Sequence, residues 1–376
     1  MASVDDIEAV LTAFDGQSTF YIDTEFDSSK QGKTLSLIQI SCGGEIYVVD
    51  ALRLPSLAPL GPHLFAPDAR WVLHAGLQDV ELLLREFDEA EPPRLFDTQI
   101  AWGLLGPEAS VSLAFLQFKL LGVRSAKGYQ ADDWLRRPLP AAQLAYAADD
   151  IAYLPALERE LSERLGRLDR ADVVDEVCRE QLLPKAAAST LLGLDAFRNA
   201  WQLDAGGRAA LLALIDWHNA LPESERGRTP ARTLLSIASR LPLSVKDLSR
   251  IKGVSAPLSR SHGASIVALM KQAAQTSAEG FESLEPQAYA SFDDYRAEAR
   301  LGLARIEVSA ELSIAPDVAL PMALVRRMLP RVKSAGSLEA GAEELTGWRA
   351  RVIKPVFVEH ARRLDAYPRA ASPTLR

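Results

Sequence analysis

Along the first half of the chain, short apolar runs recur with the length and alternation of strands. FYIDTEF (20–26), TLSLIQI (34–40), EIYVVD (45–50) and WVLH (71–74) are rich in β-branched and aromatic residues and each reads as a strand. SCGGE, between the second and third, is short and Gly-rich, which predicts a hairpin. After WVLH the period changes. LQDVELLLREF carries its apolar residues at helical spacing, and LFDTQIAWGLLG starts like a strand and continues like a helix. From Leu139, LPAAQLAYAADDIAYLPALERELSERL is helical in pattern throughout, with Pro140 near its start. Strands first, then strands mixed with helices, predict an α/β or α+β domain over 1–190. Beyond QLLPKAAAST the strand signal nearly vanishes. Residues 195–278 and 286–370 read as two small helical domains joined by the polar linker TSAEGFESLEPQ.

One strand contains a contradiction. Asp23 and Glu25 sit inside the apolar run FYIDTEF, and their spacing of two places both on one face. Burying a carboxylate is costly unless something positive meets it. Three further signals lie downstream. Asp79 stands at the start of the helix after WVLH, where the helix N-terminus favours an acid. Tyr146 and Asp150, at i and i+4, share one helix face, whereas Asp149 points about 100° away. Asp97 reads as the N-cap of a helix beginning at Thr98.

A hard divalent cation takes oxygen ligands, and two such ions stabilise both the attacking and the leaving oxygen of a phosphoryl displacement. Asp23, Glu25, Asp79 and Asp150 form a sufficient ligand set, and the Tyr146 hydroxyl could orient a water. Singly, each has an ordinary reading: a solvent-facing Asp-x-Glu pair, a helix-start aspartate, a packing tyrosine. His74 reads equally as a satisfied loop histidine. The sequence shows no P-loop, GxGxxG, Ser-His-Asp or Cys-His signature.

Composition refines this picture at two points. Cys42 and Cys178 are too few for a disulfide framework or a four-ligand zinc site, no apolar run reaches membrane-spanning length, and the acidic MASVDDIEAV lacks a secretion-signal pattern. A cytoplasmic setting is expected, with a monomer as the default state. The formal charge of −8 hides an asymmetry: residues 1–170 hold 26 acidic and 15 basic residues, a net of −11, and residues 197–275 hold 11 basic and 5 acidic, a net of +6. That division suits a metal-dependent site joined to a phosphate-binding module, and ordinary solvated surface accounts for it equally well.

The order DTEF, LIQI, HAGLQD, FDTQ and K-x-x-Q-x-x-DW-x-x-RPL-x-x-x-Q-x-x-YAA-x-D-x-x-YL resembles ribonuclease D across roughly residues 18–180. The resemblance implies an RNase H-like α/β exonuclease domain, a mixed five-stranded sheet flanked by helices. It implies Asp23, Glu25, Asp79 and Asp150 as ligands of two Mg²⁺ or Mn²⁺ ions, with Tyr146 orienting the attacking water. Residues 197–275 resemble the helical HRDC domain, whose IKGVS turn would offer amides to phosphate beside Arg250 and Lys252; residues 289–366 resemble a second such domain. The implied activity is 3′–5′ exoribonuclease, releasing nucleoside 5′-monophosphates from single-stranded 3′ ends, with precursor tRNA and small structured RNAs as substrates. His74, Lys127, Gln130 and Arg137 are the candidates for substrate contact. A Werner-type DNA exonuclease and a non-catalytic RNA-binding scaffold are the rival readings.

Overall fold

The computed structural model describes residues 4–29, 32–124, 133–183, 191–197, 199–226, 229–275 and 291–366. Lys127 and Gln130 lie outside these. The chain divides into two units, Met1–Pro184 with Phe292–Arg376, and Lys185–Ser291.

The first unit is built on a five-stranded sheet in the order β3-β2-β1-β4-β5. Its strands are β1 (Thr19–Ser29), β2 (Gly32–Cys42), β3 (Glu45–Asp50), β4 (Arg70–Leu73) and β5 (Arg94–Asp97). β1, β2 and β3 pair antiparallel, while β4 and β5 continue parallel to β1, so the sheet is mixed as expected. The β2–β3 hairpin turns on Gly43 and Gly44, both at positive φ (58° and 89°), which a two-residue turn matched to strand twist requires. Between Glu25 and Phe26 the register slips: Glu25 faces Leu37 but Phe26 faces Leu35, leaving Ser36 as an extra residue in β2. Such bulges bend a strand and re-aim side chains.

Six helices of this unit matter to the site: α1 (Val4–Phe14), α2 (Leu77–Phe87), α3 (Thr98–Gly103), α4 (Ala141–Ala152), α5 (Leu154–Arg167) and α6 (Val174–Leu182). The two sheet faces differ. Phe20, Ile22, Ile38, Ile40 and Val49 enter the main core with α1 and α2. On the other face Leu37 and Val48 meet Trp134, Leu139 and Ala147, under α4.

Helices Phe292–Leu312, Met322–Ala335 and Lys354–Asp365 close the main core. Leu301, Val308, Met328 and Phe357 share one apolar cluster with Trp71 and Leu95. Two buried arginines stitch the seam. Arg170 donates to the carbonyls of Leu104 and Leu312, and Arg349 donates to those of Val318 and Ala319 and pairs with Glu180. The block expected as a third domain at 286–370 therefore shares its core with the strand-bearing domain. An amphipathic helix pattern shows that an apolar stripe exists, not which surface it meets.

The second unit is a helical bundle. Ala205–Ala220, Ala231–Ala238 and Ala256–Ala273 pack around Leu211, Leu214, Ile237, Ile266 and Met270. Its IKGVS turn needs glycine: Gly253 has φ 99°, and a Cβ there would lie 2.9 Å from Thr233 Oγ1. Among the described residues no helix is long and apolar enough to cross a membrane.

Candidate active site

Strand alternation puts Asp23 and Glu25 on the face that α4 covers, and helical spacing brings Asp150 down to meet them. Carboxylate oxygens of Asp23, Glu25 and Asp150 all lie within 4.8 Å of one another. Tyr146, one turn before Asp150, hydrogen-bonds its carboxylate. Asp149 is exposed. The i+4 argument thus selects the acid that faces the sheet.

Nothing positive compensates this cluster from within the described chain. Burial pushes Asp23 well above the usual carboxylate range, and the neighbouring carboxylates of Asp79, Asp150 and Glu25 push it further. Glu25 rises to about 8, from burial first and then from Asp150 and Asp79. Asp150 rises to about 6 through burial, against the lowering effect of the Tyr146 hydrogen bond. Among the described residues, every charged neighbour that shifts Asp23 or Glu25 is another carboxylate. An all-oxygen set of convergent, mutually repelling acids has the chemistry of a hard-cation site, so the residues fit divalent metal.

Asp79 approaches differently. It is buried in the first turn of α2, and its Oδ1 accepts from the Thr24 amide (3.0 Å) and the Thr24 hydroxyl. It lines the same cleft and raises Asp23, yet stands outside the three-carboxylate group. Burial lifts it to about 6, the Thr24 bonds opposing.

The turn that launches α2 is held by Asp97. Its Oδ1 accepts from the amides of Gln99 (2.8 Å) and Ile100 (3.1 Å), the expected cap of α3. Its Oδ2 accepts from the Gly76 amide at 2.8 Å, a clamp that local sequence did not announce. The turn is tight: Ala75 sits at φ 54°, and a Cβ on Gly76 would lie 2.8 Å from that of Leu73.

The four substrate-contact candidates fare unevenly. Lys127 and Gln130 are outside the described residues. His74 lines the cleft, but its Nδ1 bonds the Thr98 hydroxyl (2.8 Å) and its Nε2 the Val111 carbonyl (3.1 Å). Burial lowers its pKa, keeping the ring neutral, and neither nitrogen is left for RNA. Arg137 is corrected to a structural role. Its Nε and Nη2 grip the buried Asp50 carboxylate at 2.6 and 2.7 Å, and its remaining donors go to Trp134, Arg136 and Ser36. Ser36, the extra residue of the β2 bulge, therefore accepts from Arg137 and donates its hydroxyl to the Trp134 carbonyl (2.6 Å). This anchor fixes the segment that leads into α4.

The cleft has a volume of about 1070 Å³ and is floored by the carboxylates, with Leu77, Gln99, Ser112, Leu113 and Gln181 around them. That is at the upper end of ligand-site volumes. A family model described as 3′–5′ exonuclease matches residues 3–166. Sheet, cleft and acidic floor define a metal-dependent 3′–5′ exonuclease domain. The chain is 34% identical to ribonuclease D of Escherichia coli strain K12 over 266 residues, 67% of this chain and 68% of that one. It is 29% identical to ribonuclease D of Pseudomonas paraeruginosa over 332 residues, 83% and 84% of the two chains. The crystal structure of Escherichia coli RNase D, described as an exoribonuclease involved in structured RNA processing, matches with a TM-score of 0.69 at 24% identity, covering 98% of this chain and 99% of that one. That likeness shows the same RNase H-like exonuclease fold. The chain belongs to the ribonuclease D family and is a 3′–5′ exoribonuclease.

Proposed function

We propose that Asp23, Glu25, Asp79 and Asp150 hold two divalent cations, Mg²⁺ or Mn²⁺, and that the enzyme releases nucleoside 5′-monophosphates one at a time. The observation that carries this reading is the convergence of Asp23, Glu25 and Asp150 within 4.8 Å, with only carboxylates as charged neighbours among the described residues. Bound cations would supply charge stabilisation at the attacking and leaving oxygens of the scissile phosphate. The chain's own residues do the rest. β1 is a rigid shelf that fixes two ligands, and α4 sets the third. Tyr146, held against Asp150, orients the attacking water beside the terminal phosphodiester. Thr24 holds Asp79 at the cleft edge through its amide and hydroxyl.

The substrate we infer is RNA with a single-stranded 3′ end, precursor tRNA and small structured RNAs foremost, as the family resemblance suggests. The second unit is read as an HRDC domain. Its Gly253 turn, with Arg250 and Lys252 beside it, supports sequence-independent phosphate contact whose affinity falls with salt. A second HRDC-like module is read in 286–370. A reducing cytoplasm accords with the two buried free cysteines, and a monomer is the default reading.

The test is digestion of 3′-labelled and 3′-blocked RNA, and of matched DNA, with Mg²⁺ or Mn²⁺ by wild type and by Asp23→Ala. Stepwise loss of label from RNA alone, abolished in the variant, is expected. Equal digestion of DNA would favour the Werner-type reading. Binding of RNA without shortening, identical in the variant, would overturn the nuclease mechanism.

A further inference from the structure

The face of the sheet beneath α4 buries one side chain that its surroundings do not satisfy. Gln39, in the middle of β2, is fully buried, and neither its Oε1 nor its Nε2 has a hydrogen-bond partner. Buried amides are nearly always paired, because an unmade hydrogen bond forfeits the hydration that the group had in water. The rest of this layer is apolar: Leu37, Val48, Trp134, Leu139 and Ala147. A hydrocarbon side chain at position 39 would stabilise the metal-free fold. An amide there acts against stability.

The register shows what the amide is beside. Gln39 is paired directly with Asp23 on one side and with Val48 on the other. Directly opposed residues of antiparallel strands project to the same face, with Cβ atoms about 4.5–5.5 Å apart. Val48 offers no polar atom, whereas Asp23 offers two carboxylate oxygens. A carboxylate that turns one oxygen to a cation is held in that rotamer by a donor on its other oxygen.

We propose that Gln39 is a positioning residue for the cation site, its Nε2–H donating to the Asp23 carboxylate when cations are bound. The inference rests on the cation-binding reading above. Gln39 touches neither substrate nor metal; it acts through Asp23. A cation that draws the Asp23 carboxylate into its binding rotamer would bring one of its oxygens to the unmet Gln39 donor.

The test uses the full chain and Gln39→Met, which keeps the side chain's length and removes both polar atoms. Mn²⁺ binding is followed by titration calorimetry, with Asp23→Asn as the reference for a broken site. Gln39→Met is expected to raise the Mn²⁺ dissociation constant about 10–100-fold, with the metal-free melting temperature unchanged or higher. On 3′-labelled RNA its kcat should fall at fixed Mn²⁺ with KM little changed, and recover as Mn²⁺ is raised. Wild-type Mn²⁺ affinity in Gln39→Met overturns the proposal. So does a loss of activity that added Mn²⁺ fails to restore and that tracks a fall in melting temperature. If wild type takes up no Mn²⁺, the cation reading falls and this inference with it; if wild type binds and Gln39→Met binds equally, this inference alone falls.

Discussion

Glu25, Leu37 and Asp50 form one cross-strand row on the same sheet face. The row thus carries two carboxylates two strand spacings apart, roughly 9–10 Å, and the protein treats them in opposite ways. Asp50 is 1% exposed and fully answered: Arg137 grips both of its oxygens, and the Leu52 amide adds a third bond at 3.1 Å. Glu25 is only half-buried, yet it meets carboxylates instead of a cation and is pushed up to about 8. Burial therefore fails to separate the structural acid from the one proposed to hold a cation. Compensation separates them. A charge whose partner is built into the chain holds the fold, and a charge left unanswered awaits something from outside it.

The sharpest way to break that contrast is to neutralise one acid at each end. Asp150→Asn should cut single-turnover RNA digestion by about 10³-fold or more, beyond the ~10–100-fold typical of residues that only support a ligand. Its metal-free melting temperature should hold or rise, because a repelling charge is gone. Arg137→Met should do the reverse. It strands a buried Asp50, and breaking such a pair costs about 3–5 kcal/mol, to be read by denaturant unfolding. A destabilised Asp150→Asn or an unaffected Arg137→Met would erase the distinction.

Tyr146→Phe comes next, with an expected loss in kcat of about 10²-fold or more. The lost hydrogen bond normally lowers Asp150, so the acid limb of its pH–rate profile should move to higher pH. The pH dependence of stability is a smaller effect with a definite sign. Glu25 and Asp150 are pushed up to about 8 and about 6 in the fold, above their ordinary values of 4.5 and 3.8. Between these limits the native state holds protons that the unfolded chain has released, so metal-free stability should fall as pH rises from about 4.5 to 8. Saturating Mg²⁺ should flatten that fall, since cation binding displaces the same protons. Melting curves across pH with and without Mg²⁺ check both. Least affected should be Asp149→Ala, within about 0.5 kcal/mol and with unchanged activity. A large effect there would undo the helix-phase assignment.

Local patterns made much of this visible. Alternation placed Asp23 and Glu25 on one face, the i+4 spacing chose Asp150 over Asp149, and Asp97 capped its helix. Five strands and the Gly43–Gly44 hairpin followed from the same cues. What local pattern cannot carry is pairing across the chain. An arginine in DWLRRPL reads alike whether it meets RNA phosphate or an aspartate 87 positions earlier. Asp79 looked like a free helix-start acid because Thr24, which takes its Oδ1, lies 55 positions away. Val111 seals the His74 ring from 37 positions downstream. Gln39 shows in the sequence only as a polar residue inside an apolar run; its place across from Asp23 comes from the register.

Glu25 of β1 and Asp150 of α4, in the site's two halves, stand 125 positions apart in the chain. During synthesis, a nascent polypeptide that ends before Tyr146 carries Asp23 and Glu25 of the cluster but neither Tyr146 nor Asp150. It cannot assemble the cleft floor, and the core beneath it closes only with helices from beyond residue 291. An RNA-degrading enzyme made on an RNA template thus lacks its full acidic floor until the ribosome has passed the codon for Asp150.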